Sequence, residues 1–182
     1  SMPLAVLSAM RECSTYKITV KGGKFLEAVA EADTIVFDKT GTLTLAKPKV
    51  ADVICFDGYS RETVLRYAAC LEEHFPHSVA NAIVRQAADE GITHDELHSK
   101  VEYIVAHGIA SRVGDKRIVI GSHHFIFEDE HCRVPEGQED LFESRSPAYS
   151  HVFMALNGVL MAIICISDPL RPEAVEGMKA LR

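Results

Sequence analysis

Apolar and polar positions alternate in two rhythms along the chain, and the change from one to the other marks its elements. Behind the Gly22-Gly23 break, Phe25, Leu26, Val29 and Ala32 recur at helical spacing and predict a short helix. The β-branched run Thr34-Ile35-Val36-Phe37 then predicts a buried strand ending at Asp38. After Pro48 the pattern restarts. Val50–Phe56 predicts a strand closed by an Asp57-Gly58 turn, and Ser60 is placed to cap a helix running to about Glu73. Val64, Leu65, Ala68 and Leu71 form that helix's core stripe. Phe75-Pro76-His77-Ser78 interrupts, and a second helix continues to Glu90 with Gly91 as its stop.

Three short strands are predicted next, at Val101–Val105, Ala110–Val113 and Arg117–Ile120, the last two joined through Gly114-Asp115. Residues 122–149 are polar and irregular, with room for two short helices. Ser150–Leu156 and Val159–Ile166 flank Asn157-Gly158, the strongest short hairpin signal in the chain. Pro169 ends the last strand, and Pro172 opens a helix at its first position. Strand–helix pieces therefore bracket a self-contained region with several antiparallel strands. The predicted fold class is α/β, with an α+β module inserted into an open sheet. The expected division is 1–45, 46–158 and 159–182.

Composition narrows the classes. The 182 residues carry 19 Lys+Arg against 26 Asp+Glu, a formal charge of −7, which argues against nucleic acid as a partner. No run approaches the ~18 apolar residues of a membrane span. The apolar opening Ser1–Leu7 is too short for a signal peptide, lacks a basic start, and reads as the tail of something longer. Five cysteines without a CxxC suit reduced cytosolic thiols rather than a disulfide framework.

The candidate chemistry begins at Asp38, at the carboxyl end of a predicted strand, where open α/β sheets bind ligands. A carboxylate there can attack a phosphoryl group or hold Mg2+. The loop Lys39-Thr40-Gly41-Thr42 behind it offers hydroxyls and backbone N–H groups to phosphate oxygens. Thr40, two residues after Asp38, carries a hydroxyl that cannot take a proton from water near neutral pH.

The run Asp38-Lys39-Thr40-Gly41-Thr42-Leu43-Thr44 resembles, without departure, the phosphorylation signature of P-type ATPases, ion pumps of the haloacid-dehalogenase-like superfamily. Three further segments are similar to the heavy-metal-transporting (P1B) branch: Lys21-Gly22-Gly23 with Glu27 ahead of the loop, Glu72 to Val84 in the middle, and Asp168-Pro169-Leu170-Arg171-Pro172-Glu173 near the end. The resemblance implies a partial Rossmann-type phosphorylation domain carrying an inserted α+β nucleotide-binding domain, an antiparallel sheet with helices. It implies ATP and Mg2+ as cofactors, with Asp38 accepting the γ-phosphate, Lys39 and Thr40 beside it, and Asp38 and Thr40 as Mg2+ contacts. Asp168 and Arg171 would lie at the hinge near the nucleotide phosphates.

The branch's Ser-Glu-His-Pro adenine motif can be registered in two ways. Aligning on the helix Ala82-Ile83-Val84 puts His77 at the motif histidine; a gapped alignment puts Glu73-His74 there. The Gly-x-Gly adenosine loop falls at Ala106-His107-Gly108, with Ala106 in place of the first glycine, and Gly121-Ser122 stands where the branch has Gly-Asn. By resemblance the intact protein is a heavy-metal pump whose actuator and transmembrane domains, and the transported cation, act with this piece on the cytoplasmic face of a membrane. The branch's later Thr-Gly-Asp, lysine and Gly-Asp-Gly-x-Asn-Asp elements have no counterpart before Arg182, so the piece is expected to bind ATP weakly and to be phosphorylated slowly or not at all. A soluble phosphatase and a non-catalytic nucleotide-binding module are the alternatives. His94 with His98, and His123, His124, His131 with Cys132, have metal-ligand spacing but no complete ligand set, and are expected to be solvated.

Overall fold

The strand Val159–Ser167 (β6) explains the longest apolar run in the sequence. It is an interior strand, paired on both sides, of a sheet covered on both faces, so residues pointing either way are buried. The computed structural model describes residues 3–74, 76–93, 101–104, 108–113 and 115–181. They form two units, Ser1–Asp38 and Lys39–Arg182.

In the first unit, α1 (Leu4–Thr15) packs on α2 (Gly23–Ala30). A Cβ on Gly23 would lie 2.7 Å from Cγ1 of Val6, so glycine is required for that approach. Neither helix buries a residue. The strand expected over Thr34–Phe37 does not form. The run is irregular, and Val36 is 91% exposed. A strand exists through hydrogen bonds to a neighbour, and no described strand pairs with this one.

The second unit is a six-stranded antiparallel sheet in the order β1-β6-β5-β4-β3-β2. Its other strands are β1 (Lys49–Cys55), β2 (Val101–Ile104), β3 (Gly108–Val113), β4 (Lys116–Gly121) and β5 (Ser150–Leu156). Asn157 and Gly158, at φ 48° and 78°, make the tight β5–β6 turn that the sequence predicts. The expected boundary between 158 and 159 falls inside this turn; β6 pairs with both β1 and β5, so the sheet runs on to Ser167.

Helices α3 (Arg61–Glu72) and α4 (Ser78–Asp89) cover one face. The predicted stripe is buried as expected. Val64, Ala68 and Leu71 pack with Ile83 of α4 and with Ile118, Met154 and Ile164 of the sheet, while Leu65 joins Ala69 and Ala87. The Ser60 hydroxyl caps α3 by accepting from the Thr63 N–H at 3.1 Å. The opposite face is closed by the stretch the sequence left irregular, through a helical turn Phe125–Asp129 and α5 (Glu139–Glu143), with Phe125, Ile126 and Phe153 in the core. Helix α6 (Pro172–Ala180) starts at its proline and buries no residue.

Candidate active site

Two constructions in the second unit hold several of the residues singled out by the sequence. The first is a clasp between the chain entering the sheet and the chain leaving it. Directly after Asp38, which is exposed at the end of the first unit, Lys39–Leu43 turns tightly, with Gly41 at φ 80°. That left-handed conformation favours glycine. Thr44 is 2% exposed; its hydroxyl donates to Oδ2 of Asp168 at 2.5 Å and accepts from the Gly41 N–H at 3.2 Å. The other Asp168 oxygen accepts from the Lys47 N–H at 3.2 Å.

Arg171 completes the clasp. Its Nε donates to the Thr44 carbonyl at 3.2 Å and its Nη2 to the Gly41 carbonyl at 3.0 Å. Backbone bonds from Leu45 N–H to the Pro169 carbonyl (3.0 Å) and from Arg171 N–H to the Leu43 carbonyl (2.8 Å) lie between them. Asp168 and Arg171 are thus engaged with the backbone and hydroxyl of the loop that follows Asp38, a role the sequence did not reveal.

The second construction is a cavity of about 360 Å³ at one end of the sheet, lined by Glu72, His77, Val79, Gly108, Ile109, Ile120, Gly121, Ser122, Ser150, His151 and Val152. Gly108 and Gly121 face each other across the β3–β4 ladder. A Cβ on Gly108 would crowd the Phe125 ring and come within 2.5 Å of the Ile120 carbonyl, so the glycine is demanded by packing at the cavity rim. His77 is the N-cap of α4: its Nδ1 accepts from the Ala80 N–H at 3.2 Å, which places the ring hydrogen of the neutral imidazole on Nε2. That Nε2 lies 3.4 Å from Oε2 of Glu72.

Glu72 is the residue that sequence reasoning missed. It is 4% exposed, and its Oε2 has no hydrogen-bond partner. Burial pushes its carboxyl up from the ordinary 4.5 to about 7. The signal was present, because Glu72 continues the buried spacing of Leu65 and Ala68 by one further turn, an acid on an apolar stripe. On the cavity wall His151 also has a buried ring nitrogen, Nε2, without a partner; desolvation, followed by nearby Arg145, lowers its pKa.

The cavity therefore brings together His77, Gly108 and Gly121. It does not include Glu73 or His74, which occupy the exposed turn after α3. Ala106 and His107 lie outside the described residues, as do His94 and His98. Of the remaining histidines, His123 packs its ring on Phe127 at 4.7 Å, and His124 has the Glu128 and Asp129 carboxylates at 3.4 Å. Among the described residues, no three His, Cys, Asp or Glu side chains are grouped to hold a metal ion, and no helix is long and apolar enough to cross a membrane.

An aspartate-led Thr-Gly-Thr loop clasped to the exit from an inserted sheet defines the class: the chain belongs to the haloacid dehalogenase-like hydrolases, whose family model matches residues 32–182. Its homologues are metal-exporting P-type ATPases. It is 33% identical over 184 residues to a zinc-exporting P-type ATPase of Mycobacterium marinum, and 31% identical over 183 residues to a manganese-exporting P-type ATPase of Mycobacterium bovis. Each alignment takes in 100% of this chain and 25% of the relative, so the chain spans about a quarter of the length of these curated relatives. Among solved structures it is similar to the catalytic CPx-ATPase domain CopB-B (TM-score 0.61, 26% identity, 100% of this chain and 58% of that one). It is also similar to a zinc-transporting PIB-type ATPase in its E2.Pi state (TM-score 0.66, 27% identity, 97% of this chain and 28% of that one).

Proposed function

We infer that this chain is the ATP-binding part, with the phosphorylation loop, of a pump that exports a heavy-metal cation through an aspartyl-phosphate intermediate. The observation that carries this is the pairing of an intact Asp38–Thr44 loop with a cavity whose wall holds an unpartnered buried carboxylate oxygen. In this reading the adenine enters the cavity between Glu72, His77 and the glycines 108 and 121. Desolvation of the Glu72 carboxyl is then relieved by a donor on the base, since a buried acceptor left unpaired is costly. Of the two registers of the adenine motif, this favours His77 over Glu73-His74.

Asp38 is the nucleophile toward the γ-phosphate, and Lys39 offers a cation to the phosphoryl oxygens. The donor set at the loop, the Asp38 carboxylate and the Thr40 carbonyl and hydroxyl, is all oxygen. It suits Mg2+, which takes one or two protein oxygens and completes its shell with phosphate and water. Bound there, the ion would neutralise phosphate charge. Asp168 and Arg171 act here as positioning residues for the loop rather than as nucleotide ligands. The domain division that fits the sheet is an insertion over 46–167, with the phosphorylation domain on either side.

Transport, the exported ion and the actuator and transmembrane domains belong to this proposal for the whole protein. Amide chemical-shift mapping during ATP titration tests the binding part. Perturbations centred on 72, 77, 108 and 121 support it; perturbations confined to the exposed turn at 73–74, or none up to millimolar ATP, overturn it.

A further inference from the structure

The cavity wall holds a buried carboxyl, Glu72, whose Oε2 has no hydrogen-bond partner. Glu72 is buried at the end of α3, and the titratable groups facing it are few. His77 comes from the start of α4 with Nε2 at 3.4 Å, and His151 lines the wall from β5. The lining residues of β3 and β4 are Gly108, Ile109, Ile120 and Gly121, none of them titratable. No lysine or arginine stands among the described lining residues to keep the carboxyl ionised, and burial alone raises it to about 7. An ionised carboxylate only accepts hydrogen bonds; a protonated one also donates.

We propose that the protonation state of Glu72 selects between purine bases: ionised, it takes a 6-amino purine, and protonated, it admits a 6-oxo purine. The proposal rests on the reading of the cavity as the base site. The exocyclic amino group of adenine donates to Oε2, the atom that lacks a partner. A 6-oxo group in the same place sets oxygen against a carboxylate and is rejected at alkaline pH, but it can accept from the carboxylic acid at low pH. His77 accepts the Ala80 N–H on Nδ1 and so turns Nε2 toward the cavity and Glu72. Specificity built on a buried polar group is large for this reason: the wrong partner leaves that group unpaired.

The test is calorimetric titration of the whole chain with ATP and with inosine triphosphate from pH 5.5 to 8.5. The two nucleotides share the same triphosphate, so phosphate titration cancels in the ratio of their affinities. The ATP-over-ITP ratio should fall about tenfold for each pH unit from pH 8.5 to pH 5.5, as expected when the two complexes differ by one bound proton. In Glu72→Gln, which cannot titrate and presents both a donor and an acceptor, the ratio should be flat.

A pH-independent ratio in the wild-type chain overturns the proposal, and so does an unchanged slope in the variant. The wild-type series decides alone if the variant does not fold. Binding that maps to the cavity with a constant ratio removes only the switch. No binding at any pH, or binding that maps elsewhere, removes the base-site reading and the proposal with it.

Discussion

The run Val159–Ile166 and the run Thr34–Phe37 look alike in sequence, and they end in opposite states. Both are short and β-branched. The first became an interior strand of a sheet, with Leu160 to Ile164 fully buried. The second is irregular, with Ile35 53% and Val36 91% exposed. The difference lies in their neighbours: β6 has β1 on one side and β5 on the other, whereas no described strand pairs with residues 34–37. β-propensity describes a fit to a pleated, covered surface, and without that surface it specifies nothing.

The comparison can be broken by mutation. Ile163→Ala, in the middle of β6, should cost about 3–4 kcal/mol, because it opens a cavity where both faces are packed. Val36→Ala should stay within about 0.5 kcal/mol, as exposed substitutions do. Urea denaturation reads both. Equal costs would mean that the 34–37 run is packed in solution.

A second contrast separates the two halves of the proposed site. The clasp is made of hydrogen bonds to backbone and hydroxyl groups, while the cavity holds a carboxyl that burial disfavours in its charged form. Stability should show this through pH. The folded-state pKa of Glu72 is raised from 4.5 to about 7, so its contribution is fully present below 4.5 and is lost as pH rises through 7. The resulting loss is about 3 kcal/mol by pH 8.5. Glu72→Gln should remove that slope and leave the variant more stable than the parent at alkaline pH; a parallel slope in both proteins would refute it.

The clasp predicts a smaller, local effect. Arg171→Ala removes two charge-assisted bonds to loop carbonyls, a loss of about 1–2 kcal/mol read as faster amide exchange at Leu45 and Gly41. ATP affinity should stay within about twofold, because the guanidinium is committed to the loop. A large loss of affinity with exchange unchanged would return Arg171 to the nucleotide.

Much of this was legible beforehand, and for stated reasons. Caps, turns and stripes are local, so Ser60, Asn157-Gly158, Pro172 and the Val64–Leu71 face could be read directly. Asp38 to Thr44 could be read because the run is contiguous. Glu72 was harder: the order of residues draws attention to Glu73-His74, and only the direction of the helix buries one glutamate and exposes the next. The clasp could not be seen at all, since Thr44 and Asp168 stand 124 positions apart and meet only when the sheet between them closes.

The central claim is that base recognition runs through His77 and the cavity, not through the turn at His74. Calorimetric ATP titration of His77→Asn and His74→Ala tests it, with asparagine chosen because it preserves the helix cap while removing the ring. The account predicts a loss of about tenfold or more for His77→Asn and less than about twofold for His74→Ala. The reverse order, or no change in either variant, would contradict it.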